Sequence, residues 1–278
     1  MSVTRRQFVR IVPTLGVFTV AADHLRAQQQ PPPPAGNVWP APPPAQAWRD
    51  ESFPSQHPHL AREMVGVAHR DLARVRELAA AHPSLAKASW DWGFGDWETA
   101  LGAASHVGNR PIAEFLIEQG APPTIFSAAM LGQLDVVKAY AAAMPDLHRL
   151  RGPHGIPLAA HARAGGARAE AVLTFLTALG AAPPAVPVVP FGDEDRSALS
   201  GRYVFGAGPR DAFSVTSRGN LWGIQRDGGE LRGLTHVGAL QFHPVGAPAV
   251  RIAFERGPSG TTLTVHDPGV VVVAKKIA

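Results

Sequence analysis

The chain has 278 residues, a formal net charge of +4 and no cysteine. That length leaves room for two modest domains with cores of their own, and the missing cysteines exclude disulfides, thiolate metal sites and cysteine nucleophiles. The positive excess is local: Arg5, Arg6, Arg10 and Arg26 lie in the first 27 residues, leaving 22 basic against 21 acidic side chains elsewhere. No clustered basic face is therefore expected, and no nucleic-acid partner.

From the N-terminus, Thr4 to Arg10 reads TRRQFVR and precedes an apolar run from Ile11 to Ala22. Twelve residues interrupted by Pro13 cannot span a bilayer, which takes about 20. The pattern resembles a twin-arginine export signal, which implies a periplasmic or secreted protein with no stable membrane insertion after cleavage. Export of an already folded chain also suits a sequence without disulfides. Residues 1–27 are read as this signal, with cleavage after Ala22 or Ala27.

Residues 28–59 are rich in Gln, Pro and Ala, with proline runs at Pro31–Pro34 and Pro42–Pro44. Proline fixes φ and lacks an amide proton, so an extended linker is expected.

Helical periodicity then runs through residues 60–182. Ile112, Phe115 and Leu116 share one face of a short helix, and Gly120-Ala121 stops it. Val136, Val137 and Tyr140 are expected on one side of the corresponding helix in the next unit, and Val172, Phe175 and Leu176 continue the logic. Such thin helix pairs cannot bury their own stripes and need copies of themselves alongside. Thr99-Ala100-Leu101-Gly102-Ala103-Ala104 with Gly108, Gly120-Ala121, and Gly155-Ile156-Pro157-Leu158 resemble the ankyrin repeat. The resemblance implies about four repeats in an α-solenoid that docks a protein partner. Pro123 and Ile156 stand where the family has threonine, and Gly102, Phe126 and Ala159 where it has histidine.

Pro-rich residues 183–196 read as a second linker. Beyond them the period changes to two. Eight short strands are predicted over residues 197–278, with Val250, Ile252 and Phe254 alternating against Arg251, Ala253 and Glu255. Turns such as Asp227-Gly228-Gly229 separate them, so a small antiparallel β-barrel or half-barrel is expected. Gly201-Arg202-Tyr203, Phe213 to Thr216, Phe242 to Gly246 and Ala274-Lys275-Lys276 resemble the lipocalin-like β domain appended to secreted serine hydrolases of the β-lactamase type. The resemblance implies a small apolar ligand or an accessory role beside a hydrolase. The fold class is thus multidomain α and β, an ankyrin-like solenoid followed by the barrel.

No metalloprotease helix, phosphate loop, nucleophile elbow or Ser-x-x-Lys occurs, so no catalytic residue and no cofactor are expected. His236, His243, His266 and Asp267 are a conceivable zinc set, but lone strand histidines are more often surface or core groups, and no metal site is assigned. Trp90, Asp91, Trp92, Phe94, Asp96 and Trp97 fall between two repeats, where aromatic anchors with acids could meet a partner. The same residues could instead seal the solenoid end or the junction between domains. His106, Met130 and Arg163 are expected on the concave side, and His154 at a hairpin, where it also suits a structural hydrogen bond. The function expected is an exported, non-enzymatic protein–protein interaction protein.

Overall fold

A computed structural model describes residues 56–180, 188–267 and 269–277. The expected signal, residues 1–27, and most of the first Pro-rich segment lie outside them, as do residues 181–187 of the second. The described chain is a helical part followed by a closed β-barrel.

The helical part holds four helix pairs. They are α1 (Pro58–Val67) with α2 (Leu72–Ala81), α3 (Ala100–His106) with α4 (Arg110–Glu118), α5 (Ile125–Met130) with α6 (Leu134–Ala143), and α7 (Leu158–Ala164) with α8 (Glu170–Leu179). Capping residues start several of them: the Asp71, Thr99, Asn109 and Thr124 side chains each accept a backbone N–H of the first turn. Between the first two pairs runs a hairpin, β1 (Ser89–Asp91) with β2 (Trp97–Thr99), in register Ser89↔Thr99 to Asp91↔Trp97. Ile112 and Leu116 are buried as their spacing predicts. On α6 only Val137 is buried. Val136 and Tyr140 turn to solvent, because neighbouring helical residues are about 100° apart and the face against the next pair is narrow.

The first helices carry alanine where they touch, Ala103, Ala104, Ala128, Ala129 and Ala162 being buried. α1 packs on α3, α3 on α5 and α5 on α7, but α3 also reaches α7, two pairs along. That is more contact than a stack touching only its nearest neighbours makes. Gly108 permits it: at φ +76 its Cα lies against the Ala164 carbonyl, where any Cβ would collide.

Residues 193–196, expected as the end of the linker, begin instead helix α9 (Asp193–Leu199), whose first turn holds Asp193, Glu194 and Asp195 against the helix dipole. Leu199 joins the barrel core. The barrel strands are β3 (Gly201–Val204), β4 (Ala212–Arg218), β5 (Leu221–Arg226), β6 (Arg232–Gly238), β7 (Gln241–Pro244), β8 (Arg251–Gly257), β9 (Gly260–Asp267) and β10 (Val270–Ile277). Each pairs antiparallel with the next, and β10 closes on β3 through Lys276↔Tyr203. Alternation fills the interior with Tyr203, Phe213, Trp222, Phe242 and Phe254, and closure leaves no free sheet edge.

Candidate metal centre

The middle residue of β2 is a glutamate that faces inward. Glu98 has 0% of its side chain exposed, and its Oε2 accepts from Trp92 Nε1 at 2.7 Å. Three imidazoles close on the same carboxylate. His69 comes from the turn after α1, His106 ends α3, and His154 sits in the short turn before α7. His106 Nε2 and His154 Nε2 lie 2.9 and 3.3 Å from Glu98 Oε1, and His69 Nε2 lies 3.7 Å from Oε2. His69 Nε2 and His106 Nε2 are 3.0 Å apart. All four donor atoms lie within 4.8 Å of one another.

The far nitrogens of His69 and His154 are already engaged. His69 Nδ1 meets the Val65 and Gly66 carbonyls at 3.1 and 3.0 Å; since carbonyls only accept, Nδ1 carries a proton, and in the neutral ring Nε2 then holds the lone pair. His154 Nδ1 meets Asp96 Oδ2 at 2.6 Å, and its backbone N–H donates to Oδ1 at 2.8 Å. These two bonds hold His154 at φ +58, a conformation uncommon outside glycine, and such outliers concentrate at working sites. A ring tied at one nitrogen to a carbonyl or carboxylate, with the other aimed inward, is how proteins orient histidine ligands.

Glu98 Oε1 is buried, yet accepts no hydrogen bond of normal geometry among the described residues. An ion bound at 2.0–2.1 Å to four donors in a tetrahedron sets them about 3.3 Å apart. Four of the distances, two to Oε1, one to Oε2 and one between His69 and His106, run from 2.9 to 3.7 Å around that figure, and all the donors lie within 4.8 Å of one another. The donor set therefore fits a metal.

Without an ion the same cluster is held by ion pairs, and His154 must give up its Nε2 proton before it can ligate. Burial pushes the Glu98 carboxyl up, but the ring nitrogens of His106 and His154, with the charges of His154 and His69, outweigh it and hold the group at about 2. Asp96 and Glu98 together raise His154 to about 9, against the effect of its burial. A further imidazole, His161 on α7, is fully buried beside Phe126, with both ring nitrogens lacking a partner among the described residues. Burial, with His106 nearby, pushes it down to about 4.

Of the residues singled out in the sequence, His106 and His154 are thus brought together, with Trp92 and Asp96 behind them. The hairpin tip is no free anchor. Phe94, at φ +60, packs on the barrel core and lines a pocket with Phe213, Val265 and Val272, which offer apolar surface. Asp91 closes the tip by accepting from Gly93 N–H at 2.8 Å, and Trp90 packs on the core of the first helix pairs. Trp97 alone among these aromatics is exposed, at 61%. Met130, expected on a concave surface, is fully buried, since the close approach of α5 to its neighbours encloses it; Arg163 is exposed on α7. In the barrel, His236 meets the Val189 and Pro190 carbonyls and His243 that of Pro244. With His266 and Asp267 they form no ligand group among the described residues.

His69, Glu98 and His161 escaped the sequence reading. One signal was there: His69 and His106 are 37 residues apart, about one helix-pair repeat, and so occupy matching turns of adjacent units. No family model, curated protein or solved structure matches this chain.

Proposed function

We propose that the chain binds one zinc ion, or a divalent metal with the same preference for imidazole, at His69, Glu98, His106 and His154. The carrying observation is the convergence of three Nε2 atoms on one buried carboxylate, His106 and His154 at Oε1, which lacks a well-aligned donor, and His69 beside Oε2. Neutral imidazole and carboxylate suit zinc, and four protein ligands complete its tetrahedron, the mark of a structural rather than a catalytic ion. The ligands come from the first and second helix pairs, the hairpin and the turn that leads into the fourth pair, so the ion's role is to staple those units together. Titration calorimetry of the full chain with zinc chloride is the test. One ion bound with submicromolar Kd, lost in Glu98→Ala and in His106→Ala, is the expected result. No heat, and no zinc retained through dialysis, would sink the reading.

A second reading concerns the surface of that stapled scaffold. Val136, Tyr140 and Met144 recur every four residues along α6 and its end, 41%, 44% and 43% exposed. This stripe and the succession of helix pairs support an ankyrin-like interaction protein, although the α3–α7 contact departs from a strictly linear stack. The closed barrel supports a lipocalin-like module, with a small apolar ligand as its alternative role. A periplasmic pull-down with wild type and with Val136→Ser/Tyr140→Ser decides it. A specific partner lost from the double variant favours docking, and identical captures dismiss the stripe.

A further inference from the structure

The metal centre does not end at the helical part. Asp96, which orients His154, is 4% exposed and receives Arg232 of β6 on Oδ2, the same oxygen that accepts from His154 Nδ1. Arg232 is fixed in turn by the Val245 carbonyl, 2.7 Å from its Nη2. The next residue, Gly246, lies at φ +89 with its Cα so near that an added Cβ would strike both Asp96 Oδ2 and Arg232 Nη2. Gly93 at the hairpin tip meets the Arg232 stem from the other side, where a Cβ would fall 3.3 Å from Cγ. A second ion pair, Arg62 with Glu230, crosses the same junction, but both side chains are substantially exposed. Exposed pairs hold little, whereas a buried carboxylate stripped of its cation is costly.

We infer that the barrel is a working part of the metal centre: Arg232, seated by the backbone at Val245 and Gly246, clamps Asp96 and so positions His154 for the ion. Arg232 is a positioning residue that acts through Asp96. The inference rests on the zinc reading above. It follows that barrel docking and metal binding strengthen each other by the same factor, since coupling between two equilibria is reciprocal. Outer partners of histidine ligands commonly change metal affinity by about 10–100-fold when removed.

The test uses the full chain, zinc chloride and a competing chromophoric chelator. Arg232→Gln and Gly246→Ala each weaken zinc by about 10–100-fold with the stoichiometry still one, and Arg232→Lys recovers part of the loss. Arg62→Gln, which breaks the exposed pair and the contact of Arg62 over the Trp92 ring at 5.9 Å but no bond to Asp96 or His154, stays within about twofold of wild type. Visible absorption of the cobalt-loaded protein, which reports ligand geometry, changes in Arg232→Gln and not in Arg62→Gln. Amide exchange in wild type needs no variant and guards against misfolding: zinc slows exchange across residues 241–247, and Arg232→Gln abolishes that slowing. Zinc affinities within twofold in both barrel variants, or wild-type exchange at 241–247 indifferent to zinc, would overturn the inference while leaving the metal site standing. Failure of wild type to bind zinc at all would overturn the reading beneath it.

Discussion

The two halves of the molecule are stabilised differently. The barrel interior is carbon and aromatic ring: Tyr203, Phe242, Ile224 and Ile252 lie within it, and the one buried hydroxyl, that of Tyr203, donates to the Leu199 carbonyl at 2.7 Å. The helical part instead buries Asp96, Glu98, Ser105, Ser127 and His161, all the buried polar or charged residues of the described chain. A strand barrel closes its own hydrogen bonds and needs only alternation. Four short helix pairs bury a thin stripe each, and here charged groups sit at the point where they meet. Chemistry collects where packing alone leaves the core incomplete.

That contrast can be broken at either end. The largest expected effect is in the barrel: Phe242→Ala opens a cavity among Trp222, Phe254 and His236 and should cost about 3–5 kcal/mol. Calorimetry should show the barrel transition lowered while zinc stoichiometry is unchanged, and a loss of zinc would mean the halves are not separable. Chelation is the converse. Removing zinc from protein held at a hundredfold excess over Kd should cost the helical part about 2.7 kcal/mol, read from urea midpoints with and without EDTA. A barrel transition shifted more than the helical one would reverse the comparison.

The dependence on pH sharpens it further. In metal-free protein His154 titrates at about 9 instead of 6.5, so its contribution is whole below pH 6.5 and fades as pH rises through 9. Glu98, held at about 2 instead of 4.5, contributes fully above pH 4.5 and is lost as pH falls toward 2. His161, kept neutral by burial, adds a loss between pH 6.5 and 4. Metal-free stability therefore peaks near pH 6.5, and His154→Gln should flatten an alkaline limb worth on the order of 2 kcal/mol. An unchanged limb in that variant would remove His154 from the account. The smallest effect belongs to Trp97→Ala, on an exposed ring, which should change stability by about 0.5 kcal/mol or less. A large drop in its melting temperature would show that the hairpin face is packed after all.

The barrel was legible because alternation over four to eight residues depends only on neighbours along the chain. All eight predicted strands occur, and closure of β10 on β3 was the one feature left open between barrel and half-barrel. The helix pairs were legible for a related reason, since stripe, cap and stop residues each act within a turn or two. The linker over residues 183–196 was misread at its end because acids in a first turn, as in α9, look from composition alone like a polar spacer.

The metal centre belongs to another kind of information. Its ligands come from positions 69, 98, 106 and 154, and its outer clamp from 232 and 246. Nothing local links these residues except the one-repeat spacing of His69 and His106. By itself the sequence determined the elements, because propensity and periodicity are properties of short segments. Only the tertiary structure decided that α3 meets α7 and that the barrel presses on the hairpin, because those contacts depend on how whole surfaces fit. Glu98, His154 and Arg232 share a site for that reason alone.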